Sequence, residues 1–213
     1  MGFFISFEGI EGCGKTTQQK LLAQSLSERG LKVTITREPG GCPIADKIRG
    51  ILLDANNSAM TPLAELLLYS AARAQHMEEV IRPAMAAGRI VLCDRFTDAT
   101  IAYQGYGREL DLTAIIHLNS LATGDFSPQL TVLLDCPVET GLNRAIARIN
   151  NGTGAREDRF ELESIRFHQR VRDGYLKLAA MSPERFIVID GNRNPAETAA
   201  SVLTEVSARI PES

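Results

Sequence analysis

A glycine-rich segment near the start of the chain has the residue types needed to hold a chain of phosphates. Residues 7–18 read FEGIEGCGKTTQ and fit the G-x-x-x-x-G-K-[S/T] phosphate-loop pattern. In this pattern backbone N–H groups surround the phosphates, the lysine contacts the outer phosphates and the hydroxyl contacts Mg2+. The sequence therefore predicts a nucleotide-phosphate site formed by Gly9, Ile10, Glu11, Gly12, Cys13, Gly14, Lys15, Thr16 and Thr17.

Two features of this segment concern charge. Glu11 places a carboxylate in a loop that should attract anions, and the segment contains no arginine. The loop alone does not determine whether the terminal phosphate passes to water, to a protein or to a small molecule. The partner of Glu11 and the missing positive charge therefore have to come from elsewhere in the chain.

A second residue that could bind a metal lies at the end of an apolar run. Asp94 follows the residues IVLC within RIVLCDRF, residues 89–96, and so ends a predicted buried strand. At that position its carboxylate can approach the metal of Thr16, directly or through water. The alternative is that Asp94 caps the next helix or pairs with Arg95.

Other polar and aromatic residues could bind a second nucleotide. Tyr69 and Arg73 are four residues apart in a predicted helix, as are Thr100 and Gln104, and such pairs share one helix face. Any one of them alone is more simply interpreted as a core residue or a solvated charge. Together they offer an aromatic plane, groups for a base edge and guanidinium groups for a phosphate. The rest of this set is Arg37, Glu38, Arg49 and Tyr103.

The elements that must position these residues alternate between strand and helix. Apolar or β-branched runs predict strands over residues 3–8, 31–38, 89–96, 129–137 and 185–191. Helical periodicity and end signals predict helices over 15–29, 44–53, 62–87 with a kink at Pro83, 97–105, 111–123, 137–149, 160–181 and 195–210. This order indicates an α/β fold, a P-loop NTPase-type doubly wound sheet of about five parallel strands flanked by helices, with ligands at the carboxyl ends of the strands.

Bulk properties exclude several classes of partner. At 213 residues, 44% of them hydrophobic, we expect one domain over residues 1–213 with a small mobile insert, and the formal net charge is −3. A nucleic-acid surface usually has a basic excess, so nucleic acid is not the expected partner. No apolar stretch is long enough for a membrane span. The four cysteines lack metal-ligand spacing, and free thiols indicate a reducing, cytoplasmic location.

With these residues in place, the chain resembles the bacterial type of the thymidylate kinase family. The matching segments are FEGIEGCGKTTQ, TREPGG (36–41), LLYSAARAQH (67–76), VLCDRF (91–96), AYQGYGR (102–108) and DRFE (158–161), in order along essentially the whole chain. The resemblance implies transfer of the γ-phosphate of ATP to dTMP, giving dTDP for dTTP and DNA precursor synthesis. It also implies Mg2+ dependence, ATP and dTMP as partners, and a homodimer.

The resemblance assigns roles to individual residues. The dTMP site would be formed by Glu11, Glu38, Arg49, Tyr69, Arg73, Arg95, Thr100, Tyr103 and Gln104, and Mg2+ would be held by Thr16 and Asp94. Tyr69 would stack on thymine, while Arg73 and Gln104 would bind the edge of the base. Tyr103 would crowd the position of a ribose 2′-hydroxyl, and Glu11 would face the 3′-hydroxyl. Lys15 and Arg95 would act on the phosphates.

The missing positive charge would come from a lid at about residues 148–160. Some family members carry an arginine in the phosphate loop and others carry it in the lid. Here Arg148, Arg156 and Arg159 flank or occupy the polar segment NNGTGARED, residues 150–158, which is predicted to be mobile. Any of the three could neutralise charge on the transferred phosphoryl group, and the sequence does not choose among them. Tyr69 stands where the family often has phenylalanine, and Thr100 where serine is frequent.

Three other functions stay open at this point. One is a kinase for another nucleoside monophosphate or for a deoxynucleoside. A GTP-dependent switch would need an NKxD motif and a DxxG segment after the third strand, and both are absent. A partner-regulated ATPase would hydrolyse ATP without an acceptor. Whether dTMP accelerates ADP release separates these possibilities.

Overall fold

Five parallel strands form the centre of the molecule. In this computed structural model, which describes residues 2–151 and 159–211, the strands are β1 Phe3–Glu8, β2 Val33–Arg37, β3 Ile90–Asp94, β4 Leu130–Asp135 and β5 Phe186–Asp190. Their order across the sheet is β2-β3-β1-β4-β5, and every pairing is parallel. The prediction of an α/β fold with five parallel strands is confirmed.

The central strands are continuous apolar runs because helices cover both faces of the sheet. Phe4, Ile5 and Phe7 of β1 are fully buried although their side chains point to opposite faces. On the edge strands Ile35 of β2 and Val188 of β5 are about half exposed. The burial pattern of the sheet therefore reflects the strand order.

In this register the carboxyl ends of three strands lie side by side. Phe7 of β1 and Arg37 of β2 both lie opposite Asp94 of β3. The chain leaves β1 towards β2 in one direction, whereas β4 and β5 extend the sheet in the other. Such a switch of direction opens a crevice above the carboxyl end of β1, which is where ligands bind in open α/β sheets.

Helices fill the connections between the strands, and one more helix follows the last strand. They are α1 Lys15–Glu28, α2 Pro43–Leu53, α3 Pro62–His76, α4 Arg82–Ala86, α5 Thr97–Thr100, α6 Leu112–Thr123, α7 Val138–Asn150, α8 Ile165–Met181 and α9 Pro195–Ser207. A short 3-10 turn spans Ala55–Asn57, and π-helical segments span Met77–Ile81 and Ile101–Gly107. None of the helices in the described ranges is long and apolar enough to cross a membrane.

The helix predicted over 62–87 is divided one turn earlier than expected. The backbone N–H of Arg82 bonds the carbonyl of Met77, an i to i−5 bond that widens the turn before Pro83. Pro83 follows as the second residue of α4, and because proline has no N–H it cannot donate a hydrogen bond to the preceding turn. The predicted kink at the proline is therefore a change of helix type in the preceding turn.

Three other helix boundaries differ from the sequence prediction by more than one residue. The helix predicted from residue 160 begins at Ile165 because the Ser164 hydroxyl accepts a hydrogen bond from the Phe167 N–H. The helix predicted over 97–105 is a single α-helical turn followed by the π-helical segment to Gly107. The last helix ends at Ser207, three residues before the predicted end, and the N–H groups of Arg209 and Ile210 both bond the Val206 carbonyl in a terminal turn.

Candidate active site

The phosphate loop connects β1 to α1 through glycines that no other residue could replace without strain. Gly12 has a φ of +68°, and a Cβ on it would lie 2.0 Å from the carbonyl oxygen of Gly141. Gly14 precedes α1 with a φ of +99°, a left-handed conformation that favours glycine. The loop thus ends at the N-terminus of a 14-residue helix, where backbone N–H groups and the helix dipole favour anions.

Lys15 and Thr16 are the first residues of α1, and their side chains point towards the carboxyl ends of β1 and β3. The side chains that surround the carboxyl ends of the strands are called the rim below. The buried Lys15 ammonium donates to the carbonyls of Gly9 at 3.0 Å and Ile10 at 2.7 Å. The Thr16 hydroxyl donates to the Asp94 carboxylate at 2.7 Å. The structure therefore brings the two predicted metal ligands together beside the predicted phosphate site.

An open groove of about 400 Å3 lies over the phosphate loop. Its walls include residues 12–18 together with three arginines, Arg144, Arg148 and Arg193. Arg144 is held by the Gly191 carbonyl at 3.0 Å, and the exposed Arg148 lies 3.7 Å from Glu161. The groove combines a helix N-terminus with three guanidinium groups, so it suits a strongly anionic ligand.

Arg95 is the electrostatic centre between the loop and the rest of the rim. It follows β3 in a left-handed conformation, with a φ of 73°, that is unusual for a residue with a side chain. Its guanidinium donates to the Gly9 carbonyl at 3.0 Å, to Glu11 at 2.9 Å and to the hydroxyls of Tyr103 at 2.9 Å and Tyr175 at 3.2 Å. These four acceptors lie on three segments, the phosphate loop, the π-helical segment and α8, and they fix where the guanidinium points.

Glu11 is the anionic partner of this cluster. Its Oε1 accepts hydrogen bonds from Arg95 and, at 2.6 Å, from the Tyr103 hydroxyl. Burial alone would raise its pKa, but the Arg95 guanidinium, aided by His168 and Lys15, holds the pKa of Glu11 well below its ordinary value. The acid in the phosphate loop is therefore ionised and holds Arg95 and Tyr103 in place.

Arg73 is fully buried, and four of its five N–H groups are already engaged. Nε donates to Glu38 at 2.8 Å and Nη1 to Asn119 at 2.6 Å, while Nη2 donates to the Phe96 carbonyl at 3.0 Å and to the Thr100 hydroxyl at 2.9 Å. A guanidinium has five N–H groups, so one N–H on Nη1 is left after these four hydrogen bonds. Arg73 can thus present a single, rigidly oriented donor to a ligand.

Glu38 engages both of its oxygens in holding other side chains. One oxygen accepts from Arg73, and the other lies 3.0 Å from Nδ1 of the buried His76. Burial opposes ionisation, but Arg73 and His76 keep the pKa of Glu38 below its ordinary value. Arg49 lies beside it and donates to the Pro39 carbonyl at 2.9 Å.

The aromatic part of the rim lies between α3 and the start of α8. The half-buried ring of Tyr69 is 6.4 Å from that of Phe160, which is itself 5.5 Å from the ring of Tyr103. Gln104 is buried, and its amide nitrogen donates to Glu65 at 2.8 Å. Aromatic surface and fixed polar groups therefore line the same side of the crevice.

The three lid arginines predicted from sequence lie in different places. Arg148, on α7, borders the groove over the phosphate loop. Arg159 is buried away from that groove and donates to the Leu52 carbonyl and to Glu65, both at 2.6 Å. Arg156, with most of the predicted mobile segment, lies outside the described residues.

Comparison with known proteins gives a consistent result. The family model described as Thymidylate kinase matches residues 7–202. The chain belongs to the thymidylate kinase family. It is 67% identical over 212 residues to a thymidylate kinase of Geotalea uraniireducens (strain Rf4), with 100% of both chains covered. It is 69% identical over 211 residues to that of Geotalea daltonii, covering 99% of each chain.

A solved structure supports the fold within the family. The crystal structure of thymidylate kinase from Ehrlichia chaffeensis is 34% identical and superposes with a TM-score of 0.77, covering 96% of this chain and 98% of that chain. The sequence resemblance to the thymidylate kinase family is thereby confirmed.

Several residues of this family member's rim were not predicted from the sequence. They are Glu8, Glu65, Arg108, Asn119, Arg144, Phe160, His168, Tyr175 and Arg193. Most of them act on a predicted site residue from a distant part of the chain, as Tyr175 does on Arg95. Sequence spacing carries no periodic signal for such contacts, although the apolar surroundings of Glu8 and Glu65 in the sequence could have marked them as buried acids.

Proposed function

We propose that this protein transfers the γ-phosphate of ATP to dTMP, giving ADP and dTDP for dTTP and DNA precursor synthesis. The observation that carries the proposal is the placement of a phosphate loop beside a cluster of buried, hydrogen-bonded polar side chains. Lys15 and Thr16 lie at one end of the rim, and the fixed guanidinium of Arg73 lies at the other. High identity to thymidylate kinases over the full chain supports the same conclusion.

On the donor side, residues 9–17 would hold the phosphates of ATP. The N-terminus of α1 and the Lys15 ammonium supply positive charge, and Arg148 borders the same groove. Of the three predicted lid arginines, Arg148 has the placement that supports a role at the transferred phosphoryl group. The undescribed Arg156 stays a candidate for the same role, within a lid proposed at about residues 148–160.

On the acceptor side, dTMP would lie across the crevice. The Tyr69 ring offers a stacking surface, and the donor of Arg73 and the amide of Gln104 would bind the base edge. Arg95 and Arg49 would bind the acceptor phosphate. Glu11, Glu38 and Thr100 support these groups through the hydrogen bonds described above. Tyr103 would exclude a 2′-hydroxyl.

The oxygen ligands beside the phosphate loop would suit Mg2+. Thr16 and Asp94 are 2.7 Å apart beside the loop, and the described residues contain no cluster of three side-chain ligands for a metal. Mg2+ commonly binds through one or two protein groups, with water and substrate phosphates completing its shell. Thr16 and Asp94 would hold the ion, whose contribution is to neutralise charge on the phosphate oxygens.

The proposed reaction needs little proton chemistry from the protein. A phosphate monoester has a second pKa of about 6, so the attacking oxygen of dTMP is largely ionised near neutral pH. It forms a bond to the γ-phosphorus of ATP as the bond to the β,γ-bridging oxygen breaks, and ADP leaves. The protein contributes alignment and charge neutralisation, which together account for most of the catalysis of phosphoryl transfer.

We further propose that the protein is one domain over residues 1–213, acts in the cytoplasm and forms a homodimer. Leu63 and Leu67 of α3 and Ile116 of α6 are exposed by 48–58%, and α3 packs on α6. Sedimentation of the purified chain would give the oligomeric state directly.

The function is tested by following ADP release in a coupled assay with ATP and Mg2+. The assay is run with dTMP, dUMP, dCMP, dGMP, dAMP or thymidine as the acceptor. We expect strong stimulation by dTMP, weaker stimulation by dUMP and none by thymidine. Equal turnover without any acceptor would contradict the proposal and leave a P-loop ATPase.

A further inference from the structure

Glu65 is a buried carboxylate to which the phosphoryl-transfer chemistry assigns no role. It lies in the first turn of α3 with 1% of its surface exposed. Its Oε1 accepts a hydrogen bond at 2.8 Å from Nε2 of Gln104, which is also buried. An acid buried this deeply is expected to be fully paired, so its partners indicate its purpose.

Two arginines keep this carboxylate ionised and fixed. Arg159 donates to Oε2 at 2.6 Å, and Arg108 donates to Oε2 at 3.1 Å and to Oε1 at 3.3 Å. Arg159 is itself tied to the Leu52 carbonyl, and Arg108 to Glu163. Both guanidinium groups also lie over the ring of Phe160, at 4.7 Å and 5.7 Å. The position and charge of Glu65 are therefore determined by groups outside the base site.

The ionised carboxylate determines which way the amide of Gln104 faces. A carboxylate only accepts hydrogen bonds, so the group that meets Glu65 must be the NH2 of Gln104. The amide oxygen lies on the other branch of the same planar group. Gln104 thus presents a hydrogen-bond acceptor on that branch, and its orientation is set by the chemistry of its partner.

We propose that Glu65 is the positioning residue that sets pyrimidine selectivity, by orienting Gln104 so that its amide oxygen accepts from the N3–H of thymine. Thymine and uracil carry a hydrogen at N3, whereas N3 of cytosine is an acceptor and would face the amide oxygen unpaired. The inference rests on the proposed function, through the position of the base beside Gln104. A site built to accept one N–H discriminates strongly against a base that lacks it.

The variant Glu65→Gln inverts this arrangement with little change in volume. Its amide oxygen is favoured at the position of Oε2, because Arg108 and Arg159 both donate there. Its NH2 then falls at the position of Oε1, facing Gln104, and requires the oxygen of Gln104 instead. The Gln104 side chain would turn over and present its NH2 to the base.

The experiment compares kcat/KM for dTMP, dUMP and dCMP at saturating ATP in the wild-type protein, in Glu65→Gln and in Glu163→Gln. Glu163 also pairs with Arg108 and serves as the matched control, because Glu65 and not Glu163 contacts Gln104. We expect Glu65→Gln to lower the dTMP-to-dCMP ratio about 10-fold or more, the value of one lost hydrogen bond. The dTMP-to-dUMP ratio and the KM for ATP should not change, and Glu163→Gln should match the wild type.

Folding failure and failure of the proposed function give different results. If Glu65→Gln does not fold, Gln104→Leu tests the same step while leaving the ion pairs of Glu65 in place. It should lower the dTMP-to-dCMP ratio in the same direction but by less, because leucine removes the acceptor for thymine without offering a donor to cytosine. A folded Glu65→Gln protein, or a Gln104→Leu protein, with wild-type selectivity would overturn the inference. Wild-type protein with no pyrimidine nucleotide activity would instead contradict the proposed function.

Discussion

Arg95 shows how single residues in this site are fixed by charge rather than by packing alone. Its left-handed backbone costs about 1–3 kcal/mol in conformational energy. The ion pair with Glu11 and the hydrogen bonds to two tyrosines offset that cost. The acid in the phosphate loop thus fixes the orientation of Arg95, which we propose binds the acceptor phosphate.

Replacing Glu11 should therefore impair use of the acceptor more than binding of ATP. Glu11→Gln keeps the size of the side chain but removes the charge that faces Arg95 at 2.9 Å. We expect kcat/KM for dTMP to fall roughly 10- to 100-fold, the range for one hydrogen bond to a charged group, with a small change in the KM for ATP. The control is Glu28→Gln on the exposed end of α1, and a Glu11→Gln enzyme with wild-type kinetics would contradict this role.

Arg148 and Arg159, two of the three arginines predicted to act in a lid, should differ in their effects on rate and on stability. Arg148 is 67% exposed, so Arg148→Ala should leave Tm unchanged, while kcat falls on the order of 10³-fold if it acts as an arginine finger. Arg159→Ala removes a buried partner of Glu65 and should lower the free energy of unfolding by about 3–5 kcal/mol. Kinetics and thermal unfolding measured on both, with exposed Arg166→Ala as the control, test the assignment. A loss of Tm in Arg148→Ala would argue against it.

Among the elements, α8 links the segment that begins at residue 159 to the phosphate loop. Its start is set by Ser164, and it carries His168, whose Nε2 donates to the Phe160 carbonyl at 3.0 Å. Nδ1 of the same ring lies 3.3 Å from Glu11. Further along the same helix, Tyr175 reaches Arg95 and Glu8. The precise start of this helix therefore matters to the rim.

Removal of the N-cap of α8 should destabilise the protein modestly. Ser164→Ala loses the acceptor for the Phe167 N–H, which costs about 1 kcal/mol and corresponds to about 2–4 °C in Tm for a chain of this size. Ser27→Ala, at an exposed position in the last turn of α1, is the control and should not lower Tm. Equal Tm values for the two variants would show that the cap contributes nothing.

The elements also show which features the sequence could and could not predict. Buried parallel strands such as β1 are continuous apolar runs, and the phosphate-loop pattern specifies the turn and helix after β1, so local patterns predict the fold and the donor site. The π-helical segment Ile101–Gly107 has no such signature, because its residues also fit an α-helix. The contacts of Glu65 with Arg108 and Arg159 join residues far apart in sequence, and only the folded chain determines them.

At the scale of the whole molecule, Glu8 joins the sheet to the helices above it. It ends β1, accepts from the Phe96 N–H at 2.7 Å and pairs with the Tyr175 hydroxyl of α8 at 2.8 Å. Burial, with a contribution from nearby Asp98, raises the pKa of Glu8 from 4.5 to about 8. The folded protein therefore holds a proton at neutral pH that the unfolded chain releases.

This proton makes stability depend on pH in a defined direction. Because the pKa of Glu8 is higher in the folded state, its protonation contributes most to the free energy of unfolding below pH 4.5. This contribution is lost as the pH rises to about 8. Glu8→Gln mimics the protonated acid, since its amide can accept from Phe96 and donate to Tyr175. Between pH 4.5 and about 8, the free energy of unfolding of the variant should rise relative to that of the wild type by up to about 1.4 kcal/mol per pH unit. Above about pH 8 this difference should stay constant.

Thermal unfolding of the wild type, Glu8→Gln and the exposed control Glu184→Gln from pH 5 to pH 9 measures this difference. Other titrating groups affect all three proteins alike, so the difference between Glu8→Gln and the wild type isolates the proton on Glu8. We expect that difference in Tm to grow with pH up to about 8, whereas the difference for Glu184→Gln stays constant. A difference for Glu8→Gln that is the same at every pH would mean that Glu8 is ionised in the folded protein, and that the strand and the helix above it are joined by a charge.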